Sequence, residues 1–345
     1  MRQNARRTTL ADIARAAGVS VATVSKVVNG RSDVAPHTRT RVQELLRQHH
    51  YLAPVLRHTG AVRTPTIEVQ FKGGLTSYVA ETLEGIIDSA AELGASVVIS
   101  KASHAPHWAR DLVSAGRRAV IAITSVYTTA HLNELARSGL PLVVLDPLHL
   151  PDSRVNSVGA TNFAGGLAAT RHLLSLGHRR IAYLGGPAMA VCNQARRHGY
   201  RAAMEAEGAR VPDAYVLPGE FTYETGLLGA TALLGLREPP TAVFAGNDEI
   251  AVGVIEAART RGLRVPEDLS VVGFDDTNLA QMAAPPLTTV RQPLQEMGGA
   301  ALRIALRLAD AEKVESHHIE LATELVVRVS TAPPCEETRE ASVRG

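Results

Sequence analysis

The 345-residue sequence predicts a small all-α helix-turn-helix head, followed by a two-lobed α/β domain with parallel sheets. Three observations support this prediction. Within residues 9–46, apolar residues recur at helical spacing over short stretches, and Gly18 and Pro36 interrupt this pattern. From Thr66 onward, short apolar runs alternate with amphipathic stretches, a pattern typical of parallel sheets. Charge is also divided unevenly between the two parts of the chain.

The uneven charge separates a basic head from an acidic body. Residues 1–64 contain 11 Lys and Arg against 3 Asp and Glu, a net charge of +8 in a chain whose total is only +2. The remaining residues carry 25 against 31, a net charge of −6. A basic head suits contact with the phosphate backbone of nucleic acid. A merely solvated basic tail is disfavoured, because the same segment carries a helical pattern.

Two helices are predicted at the start of the head. Thr9 and Asp12 form a capping-box pattern that opens the first helix, and Gly18 ends it. Ser20 can cap a second helix, Val21 to about Val28.

A third helix completes the predicted motif. Asn29-Gly30 ends the second helix, and Pro36 is suited to the first turn of the third. Two short helices joined by a tight turn, with a third in support, form a helix-turn-helix. The second helix of this motif enters the major groove of DNA with its N-terminal residues leading. The candidate DNA contacts in the head are Thr9, Ser20, Val21, Ala22, Thr23, Ser25, Lys26, Asn29, Thr38 and Arg39.

These residue types suit different parts of DNA. Val21 and Ala22 can pack on thymine methyl groups, and Lys26 can reach a guanine or a phosphate. Thr38 and Arg39, at the start of the third helix, are placed for backbone phosphate.

The head resembles the LacI/GalR family of transcription regulators in two stretches, TLADIARAAGVSVATVSKVVNG and VAPHTRTRVQELLRQHHY. The resemblance implies a DNA-binding regulator. Lys26 replaces the arginine usual in the family, which keeps the charge but loses the bidentate fork that reads guanine.

The hinge departs from the family pattern. Members usually follow the last Tyr of the head, here Tyr51, with Pro-Asn and a short helix whose Leu wedges the minor groove. Gly60 holds that Leu position and Pro54 that of the Asn, and glycine cannot wedge base steps apart. Leu56 is one alternative wedge. A hinge that stays flexible, or that grips DNA through its arginines alone, is the other. Tyr51 and Leu56 are therefore further candidate DNA contacts.

Seven short apolar strands are predicted in the body. They are TIEVQF (66–71), SVVIS (96–100), AVIAI (119–123), PLVVLD (141–146), RRIAYLGG (179–186), TAVFAG (241–246) and LSVVGFDD (269–276). The first four and the last three form separate sets, which implies two lobes. Ligands of such folds bind beyond the carboxyl ends of the strands, in a cleft between lobes.

The body also resembles this family, in NFAGGLAATRHLLSLGHRRIAYLGG and in VFAGNDEIAVGVIEAARTRGLRVPEDLSVVGFDD. The family's sensing domain is similar to periplasmic sugar-binding proteins, and the resemblance covers roughly residues 8–330. It implies effector contacts at Arg196, Asn247 and Asp275, and pocket positions at Tyr78, Asp146 and Phe221.

These residue types fit a polyol. Asp275 and Asn247 can accept from and donate to neighbouring hydroxyl groups, and Arg196 can donate two hydrogen bonds at once. Tyr78 and Phe221 can cover the apolar face of a sugar ring.

Two neighbouring carboxylates are expected to serve the fold instead. Asp248 is expected to cap a helix that begins near Glu249. Asp276 is expected to be a turn residue.

The expected organisation is a head at 1–50, a hinge at 51–64, an effector-binding and dimerisation domain at 65–330 and a flexible tail at 331–345. The family's chain crosses three times between its lobes. Lobe 1 is therefore expected at about 65–161 plus 292–321, and lobe 2 at about 162–291 plus 322–330. The tail lacks a leucine heptad repeat, which disfavours a coiled-coil tetramer.

An enzyme is not expected. The sequence contains no GxGxxG after a strand, no Walker phosphate loop, no GxSxG and no HExxH. Cys192 and Cys335 lie too far apart in sequence to form a metal cluster by themselves, and no metal or cofactor is expected. The chain has neither a membrane-length apolar run nor the apolar stretch of a signal peptide, which predicts a cytoplasmic protein.

The expected function is repression at a pseudo-palindromic DNA operator by a homodimer, relieved by a small carbohydrate. The alternative is a corepressor-type regulator that responds to a non-sugar metabolite. The carbohydrate is favoured because Ala190 and Cys192 stand where purine-responsive members carry polar contacts. A solute-binding protein for uptake would need an export signal and would lack the helix-turn-helix.

Overall fold

A computed structural model describes residues 9–28, 34–48, 64–102, 105–149 and 155–335. The chain divides into two compact units, Met1–Arg63 and Thr64–Gly345, called here the head and the body. The candidate contacts Asn29, Tyr51 and Leu56 lie outside the described residues, as does almost all of the hinge. Within the described ranges, no helix is both long and apolar enough to cross a bilayer.

Three helices form the head: α1 (Leu10–Ala17), α2 (Val21–Val28) and α3 (Pro36–Gln48). Thr9 Oγ1 accepts a hydrogen bond from the Asp12 amide, and the Asp12 carboxylate accepts one from the Thr9 amide, which completes the capping box. Gly18 follows α1 at a φ of 67°, a left-handed conformation that favours glycine and lets the chain turn into α2. The predicted helix-turn-helix is confirmed.

A small apolar core joins the three helices. Its buried members are Ile13, Ala14, Ala17, Val24, Val27, Val34 and Val42. Helix α2 contributes Val24 and Val27 to this core, whereas Val21 is 46% exposed and Lys26 is also exposed. The helix therefore has one face committed to packing and another that faces solvent.

The first lobe of the body is built on a six-stranded parallel sheet. Its strands are β1 (Thr66–Phe71), β2 (Ser96–Lys101), β3 (Arg117–Ile123), β4 (Leu142–Leu145), β5 (Asn156–Ala160) and β11 (His318–Leu321). Its helices are α4 (Ser77–Glu92), α5 (Trp108–Ser114), α6 (Thr129–Ser138) and α12 (Leu294–Ala309). The strand order is β11-β5-β4-β3-β1-β2. Helices α4 and α12 share one core with the sheet, and α5 and α6 share another.

The second lobe repeats this plan. Its strands are β6 (Ile181–Leu184), β7 (Val216–Leu217), β8 (Ala242–Ala245), β9 (Ser270–Asp275), β10 (Thr288–Arg291) and β12 (Glu324–Val326). Its helices are α7 (Asn162–Ser175), α8 (Val191–Ala206), α9 (Tyr223–Leu233), α10 (Asp248–Thr260) and α11 (Asn278–Met282). The order is β12-β10-β9-β8-β6-β7, and only the pairing of β12 with β10 is antiparallel among these described strands. All seven predicted strands form, and the two-lobed α/β class is confirmed.

Along the described body the chain passes between the lobes three times, after β5, after β10 and after β11. Thr161 and Thr323 join the first and third crossings. The Thr323 amide donates to Thr161 Oγ1 at 2.9 Å, and the two hydroxyl oxygens lie 3.0 Å apart. The first and third crossings are therefore hydrogen-bonded to each other.

Close helix packing fixes the position of α8. A Cβ on Gly199 would lie 2.3 Å from the carbonyl oxygen of Phe163, and a Cβ on Gly166 would lie 2.3 Å from that of Arg196. Only glycine allows α7 and α8 to approach this closely. The backbone that carries Arg196 is held in place by this contact.

The C-terminal segment is ordered further than expected. The Ala332 amide donates to Ser270 Oγ at 3.0 Å, and the Ala332 carbonyl accepts from His178 Nε2 at 2.8 Å. Burial lowers the pKa of His178 to about 4, so this imidazole is neutral near pH 7. The expected start of a flexible tail at residue 331 is therefore wrong, because residues 331 and 332 are bound to lobe 2.

Candidate functional site

The exposed face of α2 carries several of the predicted DNA contacts. Val21, Ala22 and Lys26 are exposed, and Thr23 and Ser25 are half-buried. The side chains that pack into the core of the head are different ones, so this face is not needed for that packing.

Some predicted contacts also stabilise the head itself. Ser20 Oγ accepts from the Thr23 amide at 3.1 Å and lies 2.8 Å from Thr23 Oγ1, so it caps α2. The Thr9 hydroxyl caps α1 in the same way. Thr38 and Arg39 are half-buried in the first turn of α3.

A cavity of about 320 Å³ lies between the two lobes of the body. All six predicted effector contacts line it: Tyr78, Asp146, Arg196, Phe221, Asn247 and Asp275. Asp146, Asn247 and Asp275 lie at the carboxyl ends of β4, β8 and β9. Parallel strands gather their carboxyl ends at one edge, which explains why distant parts of the sequence meet here.

Arg196 on α8 bridges the lobes. Its Nε donates to Asn162 Oδ1 at 2.8 Å, and its Nη1 donates to the Gly246 carbonyl at 2.6 Å. Its Nη atoms lie 3.8 Å from Asp146 Oδ2 in lobe 1 and 3.6 Å from Asp275 Oδ1 in lobe 2. Its guanidinium carbon also lies 3.7 Å from the centre of the Phe274 ring, a cation–π contact.

The two carboxylates beside Arg196 are buried at some electrostatic cost. Burial raises the pKa of Asp146 and, more strongly, that of Asp275, and the positive charge of Arg196 offsets part of this effect. Gln292 Nε2 donates to Asp275 Oδ1 at 2.7 Å, and the Tyr78 hydroxyl donates to Asp146 Oδ2 at 3.2 Å. A ligand that donates hydrogen bonds to these oxygens would stabilise them further.

Three cavity residues have strained backbones. Thr124, Asp146 and Asp275 have φ values of 44°, 46° and 111°. Residues other than glycine rarely adopt backbone conformations with positive φ. Such strain tends to concentrate at ligand sites.

The expected role of Asp248 is wrong. Asn247 is the residue that caps α10, because its Oδ1 accepts from the Ile250 amide at 2.9 Å. The buried Asp248 carboxylate instead accepts from the Thr277 amide at 2.8 Å and from Thr289 Oγ1 at 2.6 Å. It thereby anchors the segment that follows Asp275.

Asp276 also differs from a simple turn residue. Its φ is 57°, as a tight turn requires, but its carboxylate pairs with Arg291 at 2.7 Å and with Arg328 at 2.6 Å. These ion pairs tie the end of β9 to β10 and to the segment that follows β12.

Further cavity residues were not identified from the sequence. They include Lys72, Thr76, Thr124, Leu148, Pro187, Glu220, Thr222 and Glu249. Lys72, Thr124 and Pro187 follow strands β1, β3 and β6, so the rule of strand ends could have found them. Cys192 lies in the first turn of α8, and burial raises the pKa of its thiol to about 12, which leaves it protonated.

The cavity chemistry suits the binding of a polar ligand. Carboxylate, amide and guanidinium groups converge beside the rings of Tyr78 and Phe221. Among the described residues, no group of three His, Cys, Asp or Glu side chains is arranged to hold a metal ion.

Two family models match the chain. Residues 9–53 match the family described as bacterial regulatory proteins, lacI family, and residues 170–331 match the periplasmic binding protein-like domain. The HTH-type transcriptional regulator DegA of Bacillus subtilis is 36% identical over 339 residues, which cover 95% of this chain and 99% of DegA.

Solved structures agree. A lac repressor dimer bound to operator and the anti-inducer ONPF superposes with a TM-score of 0.75 at 28% identity, covering 95% of this chain and all of that chain. A complex of the transcriptional regulator CelR with cellobiose gives a TM-score of 0.71 at 31% identity, covering 94% and 100%. These relatives are transcription regulators and not enzymes. The chain therefore belongs to the LacI family of DNA-binding transcription regulators.

Proposed function

We propose that the protein is a repressor that binds a pseudo-palindromic operator as a homodimer and releases it when a small carbohydrate enters the cavity between the lobes. The observation that carries this proposal is Arg196, which lies between carboxylates from both lobes. A ligand that binds this group touches both lobes at once.

The DNA part of the proposal rests on the head. One helix-turn-helix reads few base pairs, so high specificity requires two heads on one site. Two-fold symmetric dimers match palindromic DNA. The similar lac repressor structure is a dimer on its operator. The proposal also requires that the protein works in the compartment that holds the chromosome.

The effector part rests on the residues of the cavity. Adjacent hydroxyl groups of a sugar can donate to Asp146 and Asp275 and accept from Arg196. The Phe221 ring can lie against the apolar face of the sugar. The structurally similar CelR complex contains cellobiose, which makes carbohydrates the first class to test.

Ligand and operator are coupled through the lobes. A ligand shifts the protein between two conformations only if it binds them unequally. Typical coupling free energies of about 1–3 kcal/mol correspond to roughly 5–150-fold changes in affinity. A change in lobe arrangement that moves the two heads relative to their half-sites would supply this coupling.

The test has two steps. A thermal-shift screen against monosaccharides and disaccharides, including cellobiose and ribose, identifies a ligand. A gel-shift titration on a selected operator then measures affinity with and without that sugar. We expect two heads per operator and weaker binding with the sugar.

Other outcomes point elsewhere. A non-sugar metabolite that strengthens operator binding would establish the corepressor alternative and reverse the direction of coupling. A single head bound to an asymmetric half-site would refute the dimeric arrangement.

A further inference from the structure

One hydrogen bond between the lobes does not involve the cavity lining. Glu81 on α4 in lobe 1 accepts from the backbone amide of Asn278, the first residue of α11 in lobe 2, at 2.8 Å. Neither residue lines the cavity. The contact therefore joins the lobes without occupying a ligand position.

Two further polar contacts between the lobes use cavity residues, unlike the hydrogen bonds that join Thr161 and Thr323 at the crossings. Arg196 faces Asp146 at 3.8 Å, and the Leu148 carbonyl accepts from the Val191 amide at 3.3 Å. A ligand changes the surroundings of these groups when it binds. A ligand in the cavity does not contact the Glu81–Asn278 hydrogen bond, because neither residue lines the cavity.

The donor side of the contact is rigid. Thr277, immediately before Asn278, donates its amide and its hydroxyl to the buried Asp248 carboxylate at 2.8 and 3.0 Å. The same short segment begins at Asp275, a cavity residue. Glu81 therefore holds the backbone that carries an effector-site carboxylate.

The acceptor side is half-buried. Burial raises the pKa of Glu81, and the hydrogen bond from Asn278 lowers it. Asn278 itself is exposed, and the bond gains strength because hydrogen bonds to an ionised carboxylate are stronger than neutral ones.

We propose that the Glu81–Asn278 hydrogen bond is a clasp that controls how often the lobes open, and that Glu81 is thereby a positioning residue for the cavity. The consequence for effector affinity rests on the proposed function, whereas the clasp itself does not. Removing the clasp leaves every cavity side chain in place and shifts the lobes toward open arrangements.

Two variants remove the clasp from opposite sides. Glu81→Ala deletes the acceptor. Asn278→Pro deletes the donor, and Thr277 already has φ −72° and ψ 170°, the extended conformation that a residue before proline requires. Proline is also well tolerated at the first position of a helix. Asn278→Ala keeps the amide and is the matched control, and Glu92→Ala removes an exposed carboxylate from the same helix α4.

Cys192 provides a readout that needs no ligand. Its thiol is buried in the cavity wall, whereas Cys335 is exposed. In a Cys335→Ser background, the rate of reaction of full-length protein with dithiobis(nitrobenzoate) measures how often the cavity opens. Urea midpoints measured in parallel show whether global unfolding contributes to the rate.

We expect Glu81→Ala and Asn278→Pro each to raise the reaction rate of Cys192 by about three- to tenfold, the effect of losing one hydrogen bond. The double variant should react no faster than either single variant, because both remove the same bond. Both controls should react like the parent protein.

Two results would overturn the clasp. One is a Glu81→Ala rate equal to that of Glu92→Ala at an unchanged urea midpoint. The other is fully additive effects in the double variant. Since the assay contains neither effector nor DNA, these results leave the proposed function untouched, and a failed sugar screen leaves the clasp untouched.

Discussion

The head and the body place their candidate binding residues in opposite surroundings. On α2 the candidate DNA contact Val21 is 46% exposed, whereas in the cavity Arg196 is 2% exposed and Asp275 is 4% exposed. The core of the head is apolar, while the body buries charged groups beside its candidate ligand site. In the head, binding and folding therefore depend largely on different residues. In the body they depend on many of the same ones.

The largest expected effect is that of Arg196→Ala. Removing one partner from a buried ion pair leaves an uncompensated charge, which typically costs about 3–5 kcal/mol. We expect the free energy of unfolding to fall by about this much and ligand affinity to be lost. Urea denaturation and calorimetric titration measure the two effects. The variant that remains folded should still bind operator DNA, because the head is a separate unit. If Arg196→Ala kept the stability of the wild type but lost ligand binding, binding and folding of the body would depend on different residues, which would contradict the comparison with the head.

Acid should weaken the body through His178. The folded protein holds this imidazole neutral with a pKa of about 4, against 6.5 without burial. Between these pH values the unfolded chain binds a proton that the folded chain does not, so this contribution to stability falls as the pH falls. The effect amounts to about 3 kcal/mol at most.

A matched variant isolates this effect from the buried carboxylates, whose raised pKa values act in the opposite direction. Urea titrations of wild type and His178→Asn should show a stability difference that shrinks from pH 7 to pH 4. A constant difference would mean that His178 does not titrate in this range.

Asp275→Asn could separate binding from stability within the body. An asparagine oxygen can still accept from Gln292 Nε2, and a neutral amide costs less to bury than a carboxylate. Because Asp146 still faces Arg196, we expect the free energy of unfolding to change by less than about 1 kcal/mol, whereas sugar affinity falls by about tenfold through the loss of a charged acceptor. Chemical denaturation and titration with the identified sugar test both parts. A destabilisation as large as that of Arg196→Ala would show that the carboxylate is needed for folding.

The smallest effect on stability is expected for Lys26→Ala, because the side chain is exposed. The free energy of unfolding should change by no more than about 0.5 kcal/mol. If Lys26 reads a base, specific operator binding should weaken more than nonspecific binding. If it contacts only phosphate, both should weaken alike and the salt slope should fall by about one. Gel shifts over a range of salt concentrations on both DNAs distinguish these cases.

Strands were predictable where their sequence was continuously apolar. Strand β4 reads LVVL and is buried throughout, and such runs need no tertiary information. Strand β5 reads NSVGA, three of the four residues of β11 are exposed, and β12 has no buried residue, so these strands lack that signal. Their pairing partners, not their own residues, determine that they are strands.

At the cavity, too, assignments were correct where the local sequence carried the signal and wrong where distant residues decided the role. Asp275 ends a buried strand, and that position alone predicts where it faces. The role of Asp248 depends on Thr277 and Thr289, which lie 29 and 41 residues further along the chain. A local capping rule could not foresee hydrogen bonds over such separations.

The order in which the lobes receive their last strands has a consequence for synthesis of the protein. Strand β11 completes the edge of one sheet. Strand β12 follows after a link of two residues, 322 and 323, and completes the edge of the other sheet. Ser330 then donates to the Val271 carbonyl at 2.6 Å, and Ala332 binds Ser270. A ribosome must therefore release the chain beyond β11 before the first lobe can be finished, and beyond β12 before the second can. A premature stop near residue 315 would deprive both sheets of an edge strand at once, so truncated products should be recognised and degraded by cellular proteases rather than persist as a half-active sensor.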